Sequence, residues 1–274
     1  MCYSGCMKNV CRRCGETKTW KLKSGKLRCS SCKTTFSPRI AGICVSKQIL
    51  KQVISEFILE HSTDVILERV NISKYKLLKV LTFFRIAMAK DTAETFTGIV
   101  EADETYLGGQ MKNRRLKEKA KLEVLKRGRK KLSGHATIKQ AVFGILCRNG
   151  KVWATLIADT EADDLQPLIE NQVVKGSTVC SDTWRGYTGI AAKGYVHRLV
   201  KHSEGEYSDG KGNHINGLEG FWGYLKRKLA AKGGIRKEKL PLFLAEYVWR
   251  YNYRKLSIQE RENRLYDLIT GVSY

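Results

Sequence analysis

Ile99-Val-Glu-Ala-Asp-Glu-Thr-Tyr-Leu107 is the stretch on which the reading of this chain turns. Its β-branched and aromatic residues favour an extended strand, and Gly108-Gly109 supplies a turn behind it. Asp103 sits in its middle. Two other stretches carry an acid in an equally defined context. Ser177-Thr-Val-Cys-Ser-Asp182 reads as a short strand closed by Asp182, and Ile215–Leu229 reads as a helix with Glu219 near its start. The chain order is strand acid, strand-end acid, helix acid. It predicts an α/β fold in which a sheet supplies two carboxylates and a helix packed across its edge supplies the third.

Three converging carboxylates suit hard divalent cations, which prefer oxygen ligands and keep several waters. Two such ions roughly 3.5–4 Å apart can activate one oxygen and stabilise the departing one at phosphorus. Strands that neighbour each other lie roughly 4.8 Å apart, so Asp103 and Asp182 fall close together if their strands are adjacent. On the helix, at roughly 100° per residue, Asn216, Glu219, Gly223 and Lys226 share one arc, while Leu218, Phe221, Trp222, Leu225 and Leu229 share the opposing apolar one. Glu219 also lies near the helix N-terminus, where the macrodipole favours an ionised acid. Taken alone, that arc reads first as a solvated charged face, the usual meaning of Glu and Lys on a helix.

Charge narrows the partner. The net charge is +23, and three stretches, 1–44, 110–135 and 216–239, account for all of it. Clustering of this kind is the footprint of a polyanion, with nucleic acid the leading candidate. No apolar run approaches the roughly 18 residues of a membrane helix, so no membrane partner is expected. Residues 1–14 lack the apolar core of an export signal, which points away from secretion.

The cysteines point to metal. Cys11-Arg-Arg-Cys14 and Cys29-Ser-Ser-Cys32 are two Cys-x-x-Cys pairs separated by fourteen residues, the spacing of a tetrathiolate zinc ribbon. Trp20-Lys21-Leu22 and Leu27-Arg28 supply its hairpin around Ser24-Gly25. Cys2 and Cys6 are a nearby alternative pair; Cys44, Cys147 and Cys180 read as small core residues.

Four regions follow: a zinc ribbon at 1–44, a helical DNA-binding module at 45–95, a catalytic domain at 96–235 and a helical extension at 236–274. In the module, Ser46 caps a first helix, Thr63–Val70 forms a second and Ser73 starts a third, a helix-turn-helix-like set of three. A plain helical linker is the other reading. In the catalytic domain the strands are expected at 99–106, 139–147, 151–158, 177–181 and 195–200, with Asn149-Gly150 turning one hairpin. Helices are expected at about 163–174 and near 184–192, ahead of the long one that carries Glu219. This succession is ribonuclease-H-like, interrupted by the basic insertion 110–135. A further amphipathic helix is expected over 236–256.

Val100–Gly109, Ser181-Asp-Thr-Trp-Arg-Gly-Tyr187 and His214–Arg227 closely resemble the DDE transposases of small bacterial insertion sequences, a group related to the Merlin transposons, and Trp249-Arg-Tyr-Asn252 resembles their closing motif. The resemblance covers the ribbon and nearly the whole catalytic region. It implies that Asp103, Asp182 and Glu219 bind catalytic magnesium or manganese and that Lys226 contacts DNA. Arg227, Asn216 and His214 join Lys226 as candidate DNA contacts. Asn216 is also the alternative third metal ligand, because some relatives place an Asn there.

Other polar residues have plainer readings. Glu101 and Glu104 are both expected on the strand face away from Asp103. Asp163 and Asp164 fit a helix start, His197 and His202 a surface or core role, and Trp184 and Trp222 core aromatics. The expected activity is binding of terminal inverted repeats, cleavage at the element ends and joining of 3′-hydroxyls to target DNA. The active complex is expected to be a homodimer or higher oligomer on double-stranded DNA, cytoplasmic in a bacterium or nuclear in a eukaryote. A non-catalytic DNA-binding regulator and a nuclease of the same fold are the alternatives.

Overall fold

The computed structural model describes residues 11, 13–24, 26–36, 45–92, 95–108, 139–148, 150–200 and 215–270. The basic insertion 110–135, His202, His214, Asn149 and Cys2, Cys6 and Cys44 lie outside the described residues. The chain divides into two compact units, one of residues 1–90 and 256–274, the other of residues 91–255.

In the first unit, β1 (Thr19–Lys21), β2 (Leu27–Cys29) and β3 (Thr35–Phe36) form an antiparallel sheet. Thr19 pairs with Cys29 and Lys21 with Leu27, so the hairpin turns where Ser24 was expected to turn it. Then come α1 (Lys47–Ile58), α2 (Thr63–Arg69) and α3 (Lys74–Lys90). A serine starts each: Ser46 Oγ accepts from Ile49 N at 3.2 Å, Ser62 Oγ from Val65 N at 3.3 Å and Ser73 Oγ from Lys76 N at 3.5 Å. Each turn between helices is four residues. Val53, Ile54, Leu77 and Phe84 are buried between them.

The second unit is built on one five-stranded sheet. In chain order it comprises β4 (Ile99–Leu107), β5 (Gln140–Cys147), β6 (Val152–Leu156), α4 (Ala162–Gln172), β7 (Thr178–Ser181), β8 (Val196–Leu199), α5 (Asn216–Ala230) and α6 (Leu240–Asn252). Across the sheet the order is β6-β5-β4-β7-β8, with β4–β5 and β5–β6 antiparallel and β4–β7 and β7–β8 parallel. Counted within this unit, the strands lie 3-2-1-4-5. That is the ribonuclease-H-like arrangement, and the expected α/β fold is the one observed. Strand alternation sorts the core into two layers. Val100, Phe143 and Ile145 pack with Leu165 and Ile169 of α4, while Val142 and Leu146 pack with Leu218, Phe221 and Leu225 of α5.

Three details differ from the sequence reading. The helix expected near 184–192 is two 3-10 turns, Arg185–Tyr187 and Ile190–Lys193, because Gly189 between them adopts a left-handed φ of 91°. The helix expected over 236–256 starts only at Leu240, with Pro241 in its first turn and a 3-10 turn at Lys237–Lys239 before it. The stretch 236–274 also divides: α6 belongs to the second unit, while α7 (Ile258–Thr270) packs on α1 and α3 of the first. Among the described residues, no helix is long and apolar enough to cross a membrane.

Candidate active site and metal centre

β4 and β7 pair in parallel with Glu101 opposite Cys180. Two residues further along each chain stand Asp103 and Asp182, so the two acids fall opposite one another by register. Both are half-buried. Alternation aims them at the sheet face that α5 covers, where Cys180 is buried beside Ile215 and Val200. Glu219 is exposed in the first turn of α5. Leu218, Phe221, Trp222 and Leu225 are the buried side of that helix, as its periodicity predicts.

Each strand aspartate has an oxygen fixed by an N–H of the fold. Trp222 Nε1 donates to Asp103 Oδ2 at 3.0 Å, and Trp184 N donates to Asp182 Oδ1 at 2.9 Å. Burial pushes the Asp103 carboxyl up to about 7; the Trp222 bond opposes the rise, and the charges of Asp182 and Glu219 add to it. That last influence marks the three acids as electrostatic neighbours. Hard oxygen donors gathered around a buried Asp103 fit a divalent cation, which relieves both its burial and the repulsion on it. Among the described residues, however, the four cysteines are the group of three or more possible ligands whose donor atoms all lie within 4.8 Å of one another. The carboxylates are neighbours without forming such a cluster.

Trp222 is a core aromatic, as expected, and also a site residue, which its apolar position concealed. Its ring reaches Asp103 because Gly144 on β5, opposite Asp103, has no side chain; a Cβ there would stand 2.6 Å from the ring. Glu104 faces away from Asp103, as alternation requires. Burial lifts its carboxyl to about 8, and the buried Tyr187 hydroxyl donates to it. Burial, and then the Glu104 charge, in turn hold the Tyr187 hydroxyl well above its ordinary range.

Glu101 does not face away. It is two residues from Asp103, hence on the same face, and its Oε2 accepts from Leu218 N of α5 at 2.8 Å. The period of two already contained that correction. The remaining residues fall where their elements put them. Asn216, Lys226 and Arg227 are exposed along α5. Asp163 and Asp164 occupy the first turn of α4, and half-buried His197 meets Ser181 Oγ at 2.9 Å.

In the ribbon, Cys11, Cys14, Cys29 and Cys32 converge. Cys11 Sγ lies 3.4 Å from Cys32 Sγ, and Cys14 Sγ 3.5 Å from Cys29 Sγ. Disulfides are far shorter, at about 2.05 Å. Tetrahedral zinc with bonds of about 2.3 Å sets sulfurs roughly 3.8 Å apart, which these pairs approach. Hydrogen bonding to Thr34, with Oγ1 3.3 Å from Sγ, holds the Cys32 thiol below its ordinary range, while burial pushes the Cys29 thiol up to about 11.

Residues 95–252 match the ISXO2-like transposase domain. An uncharacterized transposase-like protein of Haemophilus influenzae is 32% identical over 109 residues, which are 40% of this chain and 87% of that protein. Among solved structures, the catalytic core domain of BIV integrase is similar at a TM-score of 0.36 and 14% identity, over 62% of this chain and 99% of that one.

Proposed function

The chain belongs to the ISXO2-like transposase family, and from that premise we propose that it binds the terminal inverted repeats of a DNA element, cleaves at the element ends and joins the 3′-hydroxyl ends to target DNA. One observation carries the reading. Asp103 and Asp182 each lie two residues beyond the paired Glu101 and Cys180 of β4 and β7, near the helix α5 that carries Glu219, whose charge reaches Asp103. Magnesium or manganese bound by these three would activate the attacking oxygen and stabilise the departing one.

The residues of the chain do the rest. The N–H donors of Trp222 and Trp184 orient Asp103 and Asp182, so neither carboxylate must be ordered at the moment of reaction. Lys226 and Arg227, exposed on the same helix as Glu219, hold phosphates of the bound strand, and Asn216 touches it at the helix start. The zinc ribbon and the α1–α3 module read the ends. Zinc held by Cys11, Cys14, Cys29 and Cys32 contributes folding energy to the ribbon. Two ends brought together need two active sites, hence at least a dimer in the active complex.

The test is cleavage of end-labelled inverted-repeat DNA in magnesium or manganese, scored for both nicked and joined products. Asp103→Asn, Asp182→Asn and Glu219→Gln are each expected to lose on the order of 1,000-fold in cleavage while retaining end binding. Retained cleavage in all three overturns the reading in favour of another chemistry, and binding without cleavage by the native chain makes it a DNA-binding regulator. Cleavage by the native chain without joined products makes it a nuclease. An active Glu219→Gln beside a dead Asn216→Ala moves the third ligand to Asn216.

A further inference from the structure

Glu101 is 1% exposed, and the reaction proposed above gives it no part. It nonetheless links the two elements that carry the acids. The N-cap position of α5 is Ile215, whose side chain accepts no hydrogen bond and is itself buried. A helix start of this kind leaves N–H groups short of partners and carries partial positive charge. Glu101 supplies from β4 the side-chain acceptor that Ile215 lacks, with Oε2 2.8 Å from Leu218 N, which also meets the Ile215 carbonyl at 3.1 Å. Arg148 Nε, 3.8 Å from Oε1, balances the buried charge.

Gly217 makes the approach possible. A Cβ on that residue would stand 2.9 Å from Glu101 Oε2 and 3.3 Å from Oε1. Gly220, on the same helix, has nothing within 4 Å of its Cβ position, so the close approach is confined to the first turn. Glu219 follows Leu218 directly, and Asp103 lies two residues beyond Glu101 on β4. The Glu101–Leu218 bond therefore ties the turn holding Glu219 to the strand holding Asp103.

We infer that Glu101 is a positioning residue: by capping α5 from β4 it sets the separation of Asp103 and Glu219, and with it the affinity of the carboxylate site for its divalent cation. This rests on the proposal that those carboxylates bind metal. A cap that merely stabilised the helix would alter melting and leave cation binding untouched.

Manganese binding to the full chain, followed by the paramagnetic resonance of free Mn2+ without DNA, separates the two. Glu101→Gln keeps an acceptor for Leu218 N and should bind Mn2+ within about threefold of the native chain, whereas Glu101→Ala should bind about 10- to 100-fold more weakly. Gly217→Ala, which pushes the carboxylate away, should weaken Mn2+ in the same direction. Native Mn2+ affinity in a folded Glu101→Ala overturns the inference; if that variant does not fold, native affinity in Gly217→Ala overturns it. Asp103→Asn is the control. If it binds Mn2+ as well as the native chain, the metal site itself is misassigned and this inference falls with it.

Discussion

The indole of Trp222 occupies the place left by the missing side chain of Gly144 and donates to Asp103. Its N–H and its ring can be separated by mutation. Trp222→Phe keeps an aromatic ring between α5 and β5 but removes the donor that pulls the Asp103 carboxyl down against burial. A hydrogen bond to a charged group contributes roughly 1.5–3 kcal/mol. Losing it should move the midpoint of Mn2+ binding upward by about one to two pH units. The variant should bind metal poorly at pH 7 and regain much of that binding at pH 9. A midpoint that stays put would show that the indole packs without tuning the acid. Glu104, one residue on, meets Tyr187 on the opposite face of the strand; the two neighbouring acids thus sit in separate surroundings by alternation alone.

Glycines separate packing from tolerance at the scale of the elements. Gly144→Ala puts a methyl group 2.6 Å from the Trp222 ring and should cost about 1–3 kcal/mol, since neither β5 nor α5 can easily give way. Gly220→Ala meets nothing within 4 Å and should be neutral or stabilise by up to about 1 kcal/mol. Chemical denaturation of the two variants checks both signs, and equal effects would contradict the packing described. The closing motif works mostly across the chain. Trp249 donates to Asp91, Arg250 pairs with Glu246 inside α6, and Asn252 bonds both Val152 N and Val152 O, as a neighbouring strand would. The elements themselves were legible because their signals are local: serines before α1 and α3, a zinc-ribbon spacing, apolar alternation along the strands. The places that were not legible depend on contacts across the chain. Nothing around 184–192 announces that Gly189 will turn left-handed, and a strand buried on both faces does not display which acid faces which helix. Glu101 is the exception, a misreading of alternation and not a missing signal.

At the scale of the whole molecule, charge couples stability to pH. Unfolded, Asp103 ionises near its ordinary value of 3.8; folded, it holds its proton up to about 7. Between those values the folded chain binds more protons than the unfolded one, so stability falls as pH rises through the window and levels off above it. Without divalent cation, Asp103→Asn should match the native chain near pH 4 and exceed it by on the order of 2–4 kcal/mol at pH 8. Magnesium should close that gap. Urea titrations at both pH values decide, and a gap of the opposite sign would remove the destabilising burial of Asp103 from the picture. The ribbon is expected to answer to a different reagent: Cys29→Ser should unfold it and weaken end binding while residues 91–255 keep their cooperative transition, as limited proteolysis would reveal. The first unit is itself discontinuous, since α7 returns to pack on α1 and α3 with Leu265 and Ile269 buried. On the ribosome, α1 and α3 emerge first but lack the part of their cover that Leu265 and Ile269 supply until residues beyond 255 are made. Every catalytic residue proposed here is therefore synthesised before that helical unit can close. A chain abandoned partway through translation therefore carries a helical module without the cover that Leu265 and Ile269 supply.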